Sequence, residues 1–341
     1  MNDLDQDIGQ ALEHLARSQP TAPAIHVPGR TTLTYADLGA QIRYVRERLG
    51  NWEIGRGDIV AGVIPLRPEM AVACATVPAA ATFAPLSPGF TTDIYAELLT
   101  RLRPKALLVP ANFDHPVRLA ARRCGVAEIE LFPDPSAPAG MFTLELARQQ
   151  ASLAREASSR PDWAYLLTTS GTTGRPKLVP WSHRQVALFA QHLGDCLLLT
   201  PNDVGCHLVP MHHSHGLAVA LMNPLLRGTS VVCLPESDID GFFVALDEYR
   251  ITWLTAVPTV HREILRRAPD FPDAVDRNRL GLMLVGAGGL DFEEIDRIER
   301  TFEAPLLGGF GTTEARMITT ESLLPRTRKR GSVADSCSSQ S

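Results

Sequence analysis

The chain has 341 residues, of which 45% are hydrophobic, and its 33 basic and 38 acidic side chains give a formal net charge of −5. This length and apolar content suffice for a sizeable core and for one large or two ordinary domains. A slightly acidic chain lacks the basic footprint that nucleic acid requires, so we expect no nucleic acid as a partner.

Targeting signals are missing from the sequence pattern. No apolar run reaches the roughly 20 residues that a membrane span requires, and the acidic first residues do not resemble a secretory signal. The six cysteines are scattered without a close pair, which is typical of a reducing compartment. We therefore expect a cytoplasmic protein with no membrane span.

Helix and strand patterns alternate along the chain. Periodicity predicts helices over 35–49, 68–81, 95–103, 117–124 and 182–193, and short apolar runs predict strands over 58–64, 106–109, 128–132, 163–167, 205–209, 230–234, 253–256 and 282–285. Strands separated by such helices favour parallel βαβ units, so the predicted fold class is α/β. A Pro- and Gly-rich stretch at 133–140 predicts a subdomain boundary near 133–160. Residues 334–341 are serine-rich without large apolar side chains, which predicts a disordered tail.

A glycine- and hydroxyl-rich loop is the most informative local feature. It follows the predicted strand 163–167 and contains Thr169, Ser170, Gly171, Thr172, Thr173, Gly174 and Lys177. Glycines let backbone N–H groups approach phosphate oxygens, hydroxyls donate further hydrogen bonds, and the lysine supplies a positive charge. A strand, this loop and then a helix form the layout of a polyphosphate cradle, which predicts binding of ATP or a similar anion.

One alternative is a P-loop-like NTPase. The Walker A motif requires glycine, lysine and then Ser or Thr. Here Lys177 follows Pro176 and precedes Leu178, so the magnesium-binding hydroxyl of that motif has no counterpart. The P-loop interpretation is therefore less favoured.

Residues 170–177 resemble the phosphate loop of the adenylate-forming superfamily, which includes acyl-CoA synthetases, adenylation domains of nonribosomal peptide synthetases, and luciferases. Further segments resemble motifs of that family in the same order along the chain: 33–38, 84–88, 210–216, 286–290 and 310–314. The resemblance extends over 11–333. It implies the large AMP-binding domain of this family, with stacked mixed and parallel sheets and helices.

The resemblance also implies a reaction. A small carboxylic acid attacks the α-phosphate of Mg-ATP to give an acyl-adenylate and pyrophosphate, and CoA or the phosphopantetheine of a carrier protein then accepts the acyl group. The implied catalytic residues are Lys177, His213 and Glu314, with Glu314 holding Mg²⁺. The implied ATP-binding residues are Thr169, Ser170, Gly171, Thr172, Thr173, Gly174, Lys177, Gly286, Ala287, Gly288, Phe310, Gly311, Thr312 and Thr313. The implied substrate-binding residues are His213, Gly216 and Gly309.

Two of these segments have other interpretations. The histidines at 207, 212, 213 and 215 could form a metal cluster, but neither an HExxH motif nor a cysteine pair accompanies them. The run 286–289 could be an ordinary strand-to-helix turn with Asp291 as the N-cap of the helix, either instead of a site or as well as one.

The resemblance ends before the family's motifs do. The family continues with a segment that holds the ribose and with a small C-terminal domain whose lysine completes adenylation. Residues 334–341 resemble nothing in that continuation, so we expect a truncated member whose adenylation is weakened or lost. The alternative of another class is a non-catalytic nucleotide- or acyl-binding chain that needs a partner chain.

Overall fold

The computed structural model describes residues 7–65, 68–147, 161–169, 176–321 and 335–336. Its helices are α1 Ile8–Ser18, α2 Tyr35–Asn51, α3 Pro68–Thr76, α4 Thr92–Leu102, α5 Pro116–Cys124, α6 His183–Cys196, α7 Asn223–Leu226, α8 Ile239–Glu248, α9 Pro258–Arg267, α10 Pro272–Asp276 and α11 Phe292–Phe302. Its strands are β1 Pro23–His26, β2 Leu33–Thr34, β3 Ile59–Gly62, β4 Thr82–Pro85, β5 Ala106–Pro110, β6 Ala127–Pro133, β7 Phe142–Leu146, β8 Trp163–Thr169, β9 Lys177–Ser182, β10 Val204–His207, β11 Ser230–Cys233, β12 Trp253–Ala256, β13 Leu282–Val285, β14 Leu306–Thr312, β15 Arg316–Thr320 and β16 Asp335–Ser336. A π-helix covers His215–Met222.

The alternation of helices with strands confirms the predicted α/β class. The strands predicted at 253–256 and 282–285 coincide with β12 and β13, and every residue of both strands is buried. Strands that are buried along their whole length are typical of parallel sheets that are covered on both faces. Among the described residues, no helix is both long enough and apolar enough to cross a membrane.

The chain divides into two compact units. The first comprises Met1–Ala22 and Leu33–Ala187, and the second comprises Pro23–Thr32 and Leu188–Ser341. The division falls within α6, whereas we expected a boundary near 133–160. Pro133 instead ends β6, which pairs antiparallel with β7 inside the first unit. The Pro- and Gly-rich stretch at 133–140 therefore closes a hairpin, because turn residues mark a change of direction whether or not a domain ends there.

The sheet of the first unit has the order β7-β6-β5-β3-β4-β8-β9. Its inner strands are parallel, and β7 and β9 are antiparallel to their neighbours at the two edges. Helices α4 and α5 cover one face with a buried apolar cluster that includes Tyr95, Leu99 and Val117. The motif-bearing strands β8 and β9 therefore lie at one edge of a well-packed sheet.

The early segment 33–38 has a structural role in this unit. Thr34 is the N-cap of α2, and its hydroxyl accepts a hydrogen bond from the Asp37 backbone N–H at 3.2 Å. The Asp37 carboxylate in turn accepts from the Thr34 backbone N–H at 3.0 Å. This reciprocal capping box satisfies two backbone donors and fixes the start of the helix.

The sheet of the second unit runs β16-β15-β14-β13-β12-β10-β11-β1. Strands β14 to β1 in this order are parallel, and β15 and β16 continue it antiparallel. Asp335 and Ser336 pair with β15, although we predicted a disordered tail over 334–341. Backbone pairing requires no large apolar side chain, which is why composition missed it. The other residues of that tail lie outside the described part of the chain.

Candidate active site

Four neighbouring parallel strands of the second unit end at one edge of its sheet. The segments that follow β10, β12, β13 and β14 there are 208–216, 257–258, 286–291 and 313–315. Ligands of open α/β sheets bind in the crevice outside the carboxyl ends of the strands. Three of these four segments carry residues that the sequence predicted for nucleotide or substrate.

The segment 208–216, which we call the histidine loop, is held in a tight turn. The His213 backbone N–H donates to the Pro210 carbonyl at 3.2 Å, and the His207 ring Nε2 lies 3.1 Å from the Gly216 carbonyl. A Cβ atom at position 216 would lie 2.2 Å from the Pro210 carbonyl oxygen, so only glycine fits. The turn leaves the His213 side chain exposed at the carboxyl edge, where the sequence predicted a substrate contact.

His215 links three strand ends. Its Nε2 atom lies 2.6 Å from the hydroxyl of Thr255, which is fully buried near the end of β12. A Cβ atom at position 286 would lie 2.9 Å from its Cε1 atom, so the ring packs directly against the Gly286 backbone after β13. Its Nδ1 atom is buried and has no hydrogen-bond partner among the described residues.

Three histidines near this edge have lowered pKa values. Burial lowers the pKa values of His207, His215 and His261 to about 4 in each case. His261 lies 1% exposed on α9, and its Nε2 atom is 3.1 Å from the Leu284 carbonyl of β13. Uncharged imidazoles can donate or accept single hydrogen bonds here without the cost of burying a charge.

Metal binding by these histidines gains no support. Within the described residues, no group of three or more His, Cys, Asp or Glu side chains has an arrangement that could hold a metal ion. The four histidines at 207, 212, 213 and 215 are instead occupied with backbone, hydroxyl or ring contacts, including a 4.2 Å ring approach between His212 and His213.

The turn after β13 leads into a helix, as one interpretation of its sequence predicted, and it also lies at the carboxyl edge of the sheet. Asp291 is the N-cap of α11 and forms a capping box with Glu294, at 2.8 Å and 3.0 Å for the two hydrogen bonds. Gly286, Ala287 and Gly288 precede that cap at the carboxyl edge of the sheet. Ala287 has a φ of 59°, in the left-handed region that disfavours side chains with a Cβ atom. The turn therefore starts a helix and also lines the edge.

The hairpin of β14 and β15 carries the last predicted motif. Its residues Gly309, Phe310, Gly311 and Thr312 belong to β14, and Thr313 and Glu314 form the turn. The Ala315 backbone N–H donates to the Thr312 hydroxyl at 3.0 Å, and the Thr313 hydroxyl lies 3.3 Å from that of Ser214. The hairpin turn and the histidine loop are thus in contact.

Glu314 fits a role in holding Mg²⁺. Its carboxylate is exposed in the turn, and no described side chain forms a salt bridge with it. Magnesium is commonly bound through one or two carboxylates together with the phosphates of the nucleotide. A single exposed carboxylate in the turn after β14 is compatible with that requirement. Phe310 nearby in sequence is 52% exposed, which leaves its ring open to stacking.

The first unit holds the remaining predicted residues. Thr169 ends β8 and pairs with Lys177, which begins β9 with its side chain exposed. The Pro176 carbonyl accepts a 2.6 Å hydrogen bond from Arg101 of α4. The other predicted loop residues, Ser170, Gly171, Thr172, Thr173 and Gly174, lie outside the described residues.

The helix predicted over 182–193 is confirmed as α6, but a strand between the loop and that helix was missed. Lys177 starts β9, which is antiparallel to β8, and α6 begins at His183. Leu178, Val179 and Trp181 favour an extended strand before that helix. Because no helix N-terminus follows the lysine, the arrangement also differs from that of a P-loop, and the NTPase alternative loses its support.

The fold and the edge together define a class: an α/β protein whose candidate ligand-binding residues lie at the carboxyl ends of parallel strands and on hairpins. The model of the AMP-binding enzyme family matches residues 12–337. The chain therefore belongs to the AMP-binding enzyme family.

Two relatives illustrate the similarity. Oxalate–CoA ligase of Arabidopsis thaliana is 30% identical over 339 residues, which cover 97% of this chain and 66% of that protein. The ATP-bound structure of MatB from Rhodopseudomonas palustris has a TM-score of 0.78 and 26% identity, covering 97% of this chain and 65% of its own. The chain thus spans about two thirds of the length of these relatives.

Three contacts at this site were not predicted from the sequence. His215 was noticed only as a metal candidate, whereas the structure joins it to Thr255 and Gly286. Arg101, which donates to the Pro176 carbonyl, belongs to an ordinary amphipathic helix. These partners lie 40 to 75 residues apart along the chain, so no local pattern marks them.

Proposed function

We propose that this chain binds Mg-ATP and a small carboxylic acid and joins them as an acyl-adenylate with release of pyrophosphate. CoA then accepts the acyl group. Residues 11–333 form the adenylating domain. Three segments carry the proposal: the histidine loop, the turn at 286–288 (the glycine turn), and the hairpin of β14 and β15 with Thr313 and Glu314 in its turn (the Thr-Glu hairpin). All three lie at one carboxyl edge of the sheet of the second unit.

The proposed roles follow from the chemistry of each side chain. Lys177 and the hydroxyl loop neutralise and orient the β- and γ-phosphates, and Thr313 contacts the α-phosphate. Glu314 contributes a ligand to Mg²⁺, which supplies charge neutralisation between the phosphates when it is bound. Phe310 stacks on adenine, and Gly286 to Gly288 let the backbone approach the nucleotide. His213, Gly216 and Gly309 bound the space for the acid.

The names of relatives support a small carboxylic acid as the substrate and CoA as the acceptor of the acyl group. Oxalate–CoA ligase and the malonate–CoA ligase of Mus musculus, which is 33% identical over 174 residues, act on short dicarboxylic acids. Several other relatives are also CoA ligases. A carrier protein is the second possible acceptor, since a plipastatin synthase subunit is 27% identical over 325 residues.

Adenylation by such residues depends on positioning and charge stabilisation. An attack on the α-phosphate requires the carboxylate and the phosphate to be held in line while negative charge builds on the phosphate oxygens. The lysine and the hydroxyl donors are suited to that charge.

The test has two stages. Calorimetry first measures binding of ATP with and without Mg²⁺, where we expect saturable binding that Mg²⁺ strengthens. Acid-dependent exchange of labelled pyrophosphate into ATP is then measured with acetate, butanoate, octanoate, oxalate and malonate. Exchange with any acid supports the proposal. Orthophosphate release without an acid, or the lack of ATP binding, would contradict it.

A further inference from the structure

The ring of His215 occupies a fixed place between two strand ends. It is fastened by the 2.6 Å contact between its Nε2 atom and the Thr255 hydroxyl. On the other side its Cε1–Nδ1 edge lies so close to Gly286 that a Cβ atom there would be 2.9 Å from Cε1 and 3.1 Å from Nδ1. The ring thus fills the gap between β12 and the turn after β13.

The surroundings of the ring prevent it from moving aside. Gly216, the next residue, packs against the Pro210 carbonyl, and a Cβ atom there would lie 2.2 Å from that oxygen. His215 begins the π-helix His215–Met222, and every residue of that helix after His215 is buried. The backbone next to His215 is tightly packed, and its imidazole contacts the Thr255 hydroxyl. The position of the ring is therefore fixed.

The imidazole of His215 is uncharged near neutral pH. The Nδ1 atom of His215 is buried and lacks a partner among the described residues. This atom faces the turn after β13, where a Cβ atom at position 286 would lie 3.1 Å from it. Burial holds the pKa of this imidazole at about 4, so near neutral pH it gives no cation for a second carboxylate.

We propose that His215 sets the length of the acid, closing the acyl end of the site so that short-chain acids are accepted and long apolar chains are excluded. This inference rests on the proposed adenylation, which places the acid against the histidine loop. His215 is a specificity-determining residue in it, because its ring takes the space that further methylene groups would need.

The experiment measures binding rather than turnover. The probes are stable acyl-adenylate analogues, 5′-O-(N-acylsulfamoyl)adenosines that carry acetyl, butanoyl or hexanoyl groups. We expect the parent chain to bind the acetyl analogue at least about 10-fold more tightly than the hexanoyl analogue. His215→Ala should reduce that ratio by about 10-fold or more, because it opens a cavity that the longer chain fills.

Two further variants distinguish an effect of the His215 ring from a general loss of structure. His215→Gln keeps a polar group within reach of Thr255 and should preserve the preference for the short analogue. His192→Ala, on α6, removes a histidine that none of the site contacts involves, and should leave the ratio unchanged. If His215→Ala does not fold, Thr255→Val decides instead, since loss of the hydroxyl frees the ring and should also reduce the ratio.

The outcomes distinguish the two proposals. An unchanged ratio in His215→Ala, or a parent chain that binds the hexanoyl analogue as tightly as the acetyl one, would overturn the length limit and leave adenylation standing. A parent chain that binds none of the analogues would contradict the proposed function itself, and the length limit with it.

Discussion

In both units the predicted motif lies on a β-hairpin that follows a run of parallel strands. The two hairpins differ in the length of the segment that joins their strands. In the first unit, β8 and β9 are paired as far as Thr169 and Lys177, and the glycine-rich residues lie between those two ends. In the second unit, the turn between Thr312 and Arg316 is short, and its hydroxyls are already bonded within the unit.

This difference separates ligand effects from folding effects. Lys177 is exposed at the start of a strand, so its replacement should weaken ligand binding without changing the stability of the fold. The carboxyl edge of the second unit is instead built from buried polar side chains such as His207 and His261, whose replacement or titration alters the fold itself.

The largest expected effect is acid destabilisation of the second unit. His207 and His261 have folded pKa values of about 4, against about 6.5 when unfolded, so the unfolded state binds more protons between these values. Their stabilisation is complete above about pH 6.5 and is lost as the pH falls towards 4, by about 2 kcal/mol each at pH 5. Urea denaturation at pH 7.5, 6 and 5 measures this.

A variant sharpens that prediction. His261→Gln removes one titrating group and should flatten the dependence of the urea midpoint on pH, although it lowers the midpoint at pH 7.5. A midpoint that stays constant from pH 7.5 to pH 5 in the parent chain would show that the histidines are not held neutral.

The next effect concerns the first hairpin. Lys177→Ala should weaken binding of Mg-ATP by about 10- to 100-fold, because a hydrogen bond to a charged group contributes about 1.5–3 kcal/mol. The melting temperature should stay unchanged, since the side chain is exposed. Calorimetric titration measures the affinity, with Arg184→Ala as the control, an exposed cation on α6. Equal losses in both variants would point to general electrostatic attraction instead of a site.

The matching test in the second hairpin uses Glu314→Gln. This change should weaken ATP binding by about 10-fold when Mg²⁺ is present and by little when EDTA removes it, because only the metal-bound form uses the carboxylate. Glu303→Gln, an exposed glutamate after α11, should behave as the parent chain does. A loss of affinity that is equal with and without Mg²⁺ would rule out a metal ligand.

The sequence predicted those parts of the fold that depend on local chemistry. Four consecutive buried apolar residues identify β13, and Asp291 was expected as the cap that it proves to be. The antiparallel β9 was missed, because alternation over six residues that include Pro180 is a weak signal beside the helix that follows. Pairing partners in a sheet depend on residues that are distant in sequence.

The site divides in the same way. Motif resemblance located the glycine turn and the Thr-Glu hairpin, since each is a continuous segment with its own turn chemistry. It did not show that His215 would reach Thr255 or pack against Gly286, because these contacts arise only when β10, β12 and β13 lie side by side.

The smallest effect distinguishes neighbouring residues of the glycine turn. Ala287 has a φ of 59°, where a Cβ atom is disfavoured by about 1–2 kcal/mol and glycine is not, while glycine loses more entropy on folding. Ala287→Gly should therefore raise the free energy of unfolding by less than about 1 kcal/mol. Gly286→Ala should lower it, because the new Cβ atom would meet the His215 ring at 2.9 Å. Urea denaturation at pH 7.5 compares the two variants, and shifts of the same sign would mean that the turn responds to composition and not to the position of each residue.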